Sequence, residues 1–281
     1  MARVDPNFAR FRYFVEERES VRVHKAAGDL KPWTDDPILQ KYKFCNIRRE
    51  DDKVTQWIAK NWRTPHAPDL NLWFAMVIAR FVNWPDSLVR IGYPHHGWPK
   101  VYMDGFLDVM NSPGKTWGGA YMIRSAVGSK AEYLARDVLT PMWEQRVHLR
   151  PRKQDTLSAF HYRLERCYGM GSFLAAQVVA DLKYAPPLNR ADDWETFAAP
   201  GPGSLRGLNR LLSFDKDTLW KNAHWHAELL RAREALNKNL KELSWKSLHA
   251  QDVQNCLCEF DKYERARLGE GRPKALYPGD R

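Results

Sequence analysis

Apolar residues recur along most of this chain at intervals of three and four, the spacing of one face of a helix. Phe11, Phe14, Val15 and Val21 to Val23, with Arg18 among them, mark a first long helix. It should stop near Gly28, since glycine takes the left-handed conformation that closes a helix. Asp36 followed by Pro37 is a good N-cap and first-turn pair for a short helix through Gln40 and Tyr42. Asp51 and Asp52 suit the positive end of the next helix, whose apolar face is Val54, Trp57 and Ile58. The pattern predicts further helices over 70–82, 101–110, 129–145, 155–166, 172–184, 204–213, 217–241 and 249–267. In the last, Val253, Leu257 and Phe260 repeat at i, i+4 and i+7. Alternating, strand-like stretches are scarce, and 90–101, 186–190 and 199–204 read as ordered loops. The expectation is an all-α fold: one helical domain over 1–268, divisible into packed lobes of about 1–150 and 151–268. A tail, 269–281, is rich in glycine, proline and charge and is expected to wander.

Composition narrows the partners. Hydrophobic residues are 44% and charged residues 28% of 281, which is globular usage and excludes a disordered chain. A net charge of +10 favours a polyanion. Twelve tryptophans add rings on which an unstacked base could lie, although most must be core. The most apolar stretch, Leu72 to Val82, is too short for a bilayer and contains Arg80. No membrane partner is expected. Cys45, Cys167, Cys256 and Cys258 lack disulfide-framework spacing, so the expected setting is the reducing cytoplasm.

Several familiar signals fail on inspection. Gly114-Lys115-Thr116 would need a glycine five residues earlier to make a phosphate-binding P-loop, and Val109 stands there. Cys256-x-Cys258 and His224-x-His226 fall on helices, where side chains two apart diverge, so no metal site is expected from them.

Residues 164–184 carry more. A helix, a tight turn Gly169-Met170-Gly171 and a second helix with small Ala175 and Ala176 look like a helix-hairpin-helix. Glycines let the backbone approach phosphate, and the following helix presents free N–H groups to an anion. Gly169, Gly171, Ser172 and Lys183 are the candidate DNA contacts. The motif is the DNA grip of base-excision glycosylases, whose catalytic aspartate lies about twenty residues beyond the last hairpin glycine. Asp192 and Asp193 stand at that distance; alternatively they are helix-capping acids. The lysine nucleophile of bifunctional glycosylases is replaced by Ser172 and Phe173, so lyase chemistry is not expected.

Two further runs, Trp33 to Leu39 and Phe44-Cys45-Asn46-Ile47-Arg48-Arg49-Glu50-Asp51-Asp52, resemble the helical domain of phage 5-hydroxymethyluracil DNA kinases. They resemble still more the thymine-hypermodifying alpha-glutamyl/putrescinyl thymine pyrophosphorylases, or amino acid:DNA transferases. Gly171 to Gln177 with Asp181 and Tyr184, Pro200 to Gly203 with Gly207, and Leu257 to Tyr263 agree in order. The resemblance implies a helix-hairpin-helix, glycosylase-like helical fold acting on double-stranded phage DNA. There an amine, from an amino acid or polyamine, displaces pyrophosphate from 5-(pyrophosphoryloxymethyl)uracil. The kinase step needs a P-loop, so the transferase is the expected member.

That chemistry asks for fixed positive charge at the leaving group and a carboxylate to take the amine's proton. Arg49 is the first catalytic candidate, with Asp193 as base and Asp52 as its alternative. Asn46, Arg48, Tyr121, Arg124 and Arg206 are the candidates for pyrophosphate and substrate. Arg48 and Arg49 could equally be a salt-bridged surface with Glu50 and Asp52. No resident cofactor is implied; a divalent cation such as Mg2+ on the pyrophosphate is compatible, although no ligand cluster announces one. Trp98, Trp117, Tyr121 and Trp194 are spare rings for a flipped base. Two other classes stay open: a helix-hairpin-helix glycosylase, and a non-catalytic DNA-binding module serving a 5-hydroxymethyluracil DNA kinase.

Overall fold

The computed structural model describes residues 5–119 and 128–277. Its helices are α1 (Pro6–Ala27), α2 (Pro37–Lys41), α3 (Lys53–Ile58), α4 (Leu72–Val82), α5 (Pro85–Ile91), α6 (Lys100–Met110) and α7 (Lys130–Glu132). They continue with α8 (Thr140–Glu144), α9 (Arg146–Leu149), α10 (Leu157–Glu165), α11 (Gly171–Leu182), α12 (Pro202–Leu211), α13 (Asn222–Glu242) and α14 (Ala250–Arg267). The fold is all-α, and the described residues contain no strand beyond an isolated bridge between Tyr42 and Leu276.

The chain divides into two compact units, one of residues 1–52 with 198–281 and the other of residues 53–197. The lobe boundary expected at 150 therefore falls inside the second unit. Linear reading could not see that α1 and α2 pair with α12 and α14, far along the chain.

In the discontinuous unit, α1, α12, α13 and α14 bury Phe11, Phe14, Leu208, Trp225, Leu229, Leu236, Leu257 and Phe260 around one core. Rings pack edge to face there, as in Phe14 against Phe44 at 5.5 Å. Helices α12 and α14 touch closely because Gly207 lacks a side chain: a Cβ would stand 2.0 Å from the Leu257 carbonyl oxygen. The tail does not wander as far as it is described. Lys43 N–H donates to Ala275 O, Tyr277 N–H donates to Lys41 O, and the Tyr277 side chain is buried.

In the continuous unit, α4 is buried at all eleven positions, which explains its hydropathy. Its Arg80 is held by Asp181 of α11 through two 2.5 Å hydrogen bonds and by Thr55 at 3.1 Å. Helix α5 is not among the expected helices and runs two residues into the expected loop 90–101; Pro85 at its start and Asp86 in its first turn are ordinary opening residues. The helix expected over 129–145 runs without interruption from Lys130 to Glu144, but its middle, Tyr133–Leu139, widens into a π-helix between α7 and α8. Pro141 supplies no N–H to the preceding turn, and Thr140 instead donates its hydroxyl to Ala135 O at 2.8 Å.

Candidate functional site

Helix α14 places Asp252, Asn255, Cys256, Glu259 and Lys262 at three- and four-residue steps, so they share one face. That face meets the loop 44–52. Asn255 donates its amide to Asn46 O at 3.2 Å, and Asp252 accepts the Arg49 backbone N–H at 3.1 Å. Glu259 accepts the Cys45 N–H at 3.2 Å and the Lys262 ammonium at 2.5 Å. From α1, the buried Arg18 guanidinium donates to Phe44 O at 2.9 Å, Cys45 O at 3.1 Å and the Asn46 side-chain oxygen at 2.6 Å. Asn46 in turn gives its side-chain N–H to Asp51 O at 2.9 Å and its backbone N–H to Asp52 at 3.3 Å. A loop whose only regular structure is a 3-10 turn, Arg49–Asp51, is thus fixed by one arginine, one asparagine and the polar face of a helix.

The electrostatics of this cluster are uneven. Loss of solvent raises the Asp52 carboxyl above its ordinary value, with Glu259 adding to the rise. The Asn46 N–H, Arg49 and Arg18 pull the other way without cancelling it. Burial with Glu259 raises the Cys258 thiol to about 11, so that sulfur stays protonated near neutrality. Burial lowers the Lys262 ammonium, but Glu259 outweighs this and leaves it above its usual value. The arrangement sets a carboxyl of raised proton affinity among fixed cations, in reach of solvent at the half-buried Asn46, Arg49 and Asp52.

Of the expected site residues, Asn46, Arg48, Arg49 and Asp52 come together here. Arg48 is engaged in structure, pairing with Glu19 at 3.1 Å and donating to Lys246 O at 2.5 Å. Arg206 pairs with Asp261 at 3.0 Å, beside Arg210 and Arg265. Asp261 lies two residues from Glu259, so Arg206 serves a different face of α14. Tyr121 and Arg124 lie outside the described residues. Arg18, Cys45, Glu259 and Lys262 were not singled out as functional by sequence. The polar repeat 252, 255, 259, 262 on an otherwise buried helix was the available signal.

The remaining candidates belong to the other unit. Helices α10 and α11 flank the expected turn, with Gly169 at φ +76° and Gly171 at +61°. Gly169, Gly171 and Ser172 are exposed, as are the Tyr162, Tyr168 and Phe173 rings. Between α8 and α10 a cleft of about 570 Å³ is lined by Met142, Tyr162, Arg166 and Tyr168. Lys183 is not a surface contact. It is buried, donates to Trp194 O at 2.7 Å, lies 3.9 Å from the Trp194 ring, and its carbonyl accepts the Trp194 indole N–H. Asp193 accepts the Leu157 and Ser158 backbone N–H groups at 2.7 and 2.9 Å. It caps α10 rather than the segment that follows it. Trp98 is core, and Trp117 lies under the Lys130 ammonium.

Among the described residues no group of three or more His, Cys, Asp and Glu is arranged to hold a metal ion. No described helix is long and apolar enough to cross a membrane.

An all-helical chain with a polar loop–helix cluster and an exposed glycine hairpin is the class these features define. The family model described as the helical domain of 5-hmdU DNA kinase matches residues 5–272, and the chain belongs to that family. A 5-hmdU DNA kinase of Bacillus phage SP10 is 23% identical over 235 residues, 70% of this chain and 35% of the kinase. The chain therefore spans about a third of that relative's length. No solved structure matches.

Proposed function

We propose that this protein modifies thymine in phage DNA, replacing the pyrophosphate of 5-(pyrophosphoryloxymethyl)uracil with an amine. The family supports DNA thymine modification, because the related phage protein is named for a kinase acting on 5-hmdU DNA. The observation that carries the finer reading is the Asp52 carboxyl, raised by burial and set beside Arg49 and Arg18.

An amine attacks only when neutral. Its nitrogen forms a bond to the exocyclic methylene carbon, the bond from that carbon to the pyrophosphate oxygen breaks, and the ammonium proton passes to a carboxylate. A carboxylate with an elevated proton affinity is better matched to that transfer than an ordinary one. Asp52 takes this part in preference to Asp193, whose two oxygens hold the start of α10. Arg49, with Lys262 behind Glu259, supplies the positive charge that the departing pyrophosphate requires. The hairpin of α10 and α11 is read as a helix-hairpin-helix grip on the DNA backbone, through Gly169, Gly171 and Ser172.

The test is nucleoside mass spectrometry of DNA carrying pyrophosphoryloxymethyluracil, incubated with the protein and a pool of amino acids and polyamines. The expected result is an amine-bearing thymidine together with released pyrophosphate. Unaltered DNA, with binding confirmed, would overturn the transferase in favour of a binding module. Abasic sites would instead indicate a glycosylase.

A further inference from the structure

Away from the Asp52 cluster, the same unit gathers a second concentration of charge around two rings. Trp33 and Tyr277 meet edge to face at 5.4 Å. The ammonium groups of Lys25, Lys31 and Lys43 lie 5.3, 5.1 and 5.6 Å from the centroid of Tyr277. Lys25 and Lys31 also lie 5.7 and 5.6 Å from Trp33, and Lys41 lies 5.5 Å from the neighbouring Tyr42 ring. All four lysines are exposed.

Lys25 lies at the end of α1, Lys31 in the loop before α2, Lys41 at the end of α2 and Lys43 in the loop after it. The segment 275–277 assembles them. It runs beside residues 41–43, joined by Lys43 N–H to Ala275 O at 2.9 Å and Tyr277 N–H to Lys41 O at 3.2 Å. This seats the Tyr277 ring, only 3% exposed, beneath the cations.

Three ammonium groups so close to one ring are within roughly a Debye length of each other, ~10 Å at 0.1 M salt, and repel. The electron-rich ring face offsets part of that repulsion. A regular polyanion offsets far more, because duplex DNA presents one charge per ~1.7 Å of axis and releases counterions when lysines neutralise it. The Tyr277 ring at the centre of the patch is buried and offers no open face for stacking, so what the patch presents there is charge. It suits the phosphate backbone rather than bases.

We propose that Lys25, Lys31 and Lys43, held over Tyr277 and Trp33, form a docking surface for the phosphate backbone of duplex DNA. The inference rests on the reading of DNA as the substrate given above. It adds a contact that reads no sequence and fixes how the discontinuous unit lies on the duplex.

The experiment compares the whole protein with the triple variant Lys25→Ala/Lys31→Ala/Lys43→Ala and the charge-preserving Lys25→Arg/Lys31→Arg/Lys43→Arg. Binding to an unmodified duplex is measured across a salt series. Each neutralised phosphate contributes about 0.9 to the slope of log affinity against log salt, so the alanine variant should lose about 2–3 from that slope. The arginine variant should keep it, which separates lost charge from lost folding. A slope unchanged by the alanine substitutions overturns the docking surface while leaving DNA as the substrate. Loss of affinity for anionic vesicles alone, with duplex binding intact, also overturns it. Failure of the unaltered protein to bind duplex overturns both this inference and the reading on which it rests.

Discussion

The Arg18 guanidinium donates to the Asn46 side-chain oxygen at 2.6 Å and to two backbone carbonyls of the same loop. One buried charge on α1 thereby shapes the segment that carries Arg49 and Asp52. Arg18→Lys keeps the charge but loses the fork, so it should not restore the loop. We expect both Arg18→Lys and Arg18→Met to lower amine transfer at least tenfold. Each lost charged hydrogen bond should cost about 1.5–3 kcal/mol of unfolding free energy. Urea denaturation alongside the mass-spectrometric assay separates the two effects; full activity in Arg18→Met would show that the loop is ordered without it.

Asp52 sets a pH dependence with a definite sign. Burial first, and Glu259 after it, raise its folded-state carboxyl above the ordinary value. The deprotonated form is the base, so transfer should fall on the acid side at a pH above the usual carboxylate range. Stability runs the other way. A raised folded value means that the folded state binds the proton more tightly, so stability declines as pH rises from the unfolded to the folded value. Asp52→Asn should abolish transfer and remove that decline. A pH–rate profile and unfolding curves at several pH values check both.

Asp193 carries the opposite expectation. Its carboxylate holds the first two amides of α10 at 2.7 and 2.9 Å. Asp193→Ala should cost about 0.5–2 kcal/mol, as for other lost helix caps, and leave the transfer rate constant near that of the unaltered protein. A loss of transfer well beyond the loss of folded protein would return the base to this residue.

Much of the fold was legible because helix periodicity needs only local information. Buried faces such as Phe11, Phe14 and Val15, or Val253, Leu257 and Phe260, are set by spacing alone. The caps Asp36 and Gly28 were legible for the same reason. What could not be read depends on distant partners. Nothing near Asp193 reveals that its carboxylate belongs to a helix 35 residues earlier. Lys183, a plausible surface cation after a glycine hairpin, is buried because Trp194 folds back over it. The division into units was hidden likewise, since α1 and α14 meet only in three dimensions. The residues of the loop 44–52 were legible as candidates, but their helical partner Glu259 was noticed only as part of a resembling segment.

Two glycines should respond differently to the same added methyl group. At Gly171 a Cβ meets open space, and the strain comes only from φ +61°. Gly171→Ala should cost about 1–2 kcal/mol and weaken DNA binding without regard to sequence. At Gly207 the Cβ would fall 2.0 Å from the Leu257 carbonyl oxygen, which is backbone and cannot swing aside. Gly207→Ala must part α12 from α14 and should cost about 3 kcal/mol, the upper end of ordinary overpacking. Thermal unfolding of both variants gives the ranking, and equal costs would contradict the close approach.

Arg80 and Asp181 lie inside the continuous unit at 2% and 0% side-chain exposure, joined by two hydrogen bonds of 2.5 Å. The attraction between them is strong in such surroundings, but so is the cost of having removed both charges from water, and the net value is small. Removing one partner leaves the other charge buried and poorly compensated. Arg80→Met or Asp181→Leu alone should therefore cost about 3–5 kcal/mol, close to the whole stability of many domains. Replacing both restores an apolar interior of similar volume, so the double variant should recover most of that loss. Thr55 complicates the outcome in a measurable way. Its hydroxyl accepts from the Arg80 guanidinium at 3.1 Å and would lose that donor in the double variant. Adding Thr55→Val should then recover stability further, whereas in the unaltered protein the same change should be destabilising. Denaturant titration of these five variants closes this cycle. If the double variant is as unstable as either single one, the pair does more than balance charge at the meeting of α4 and α11.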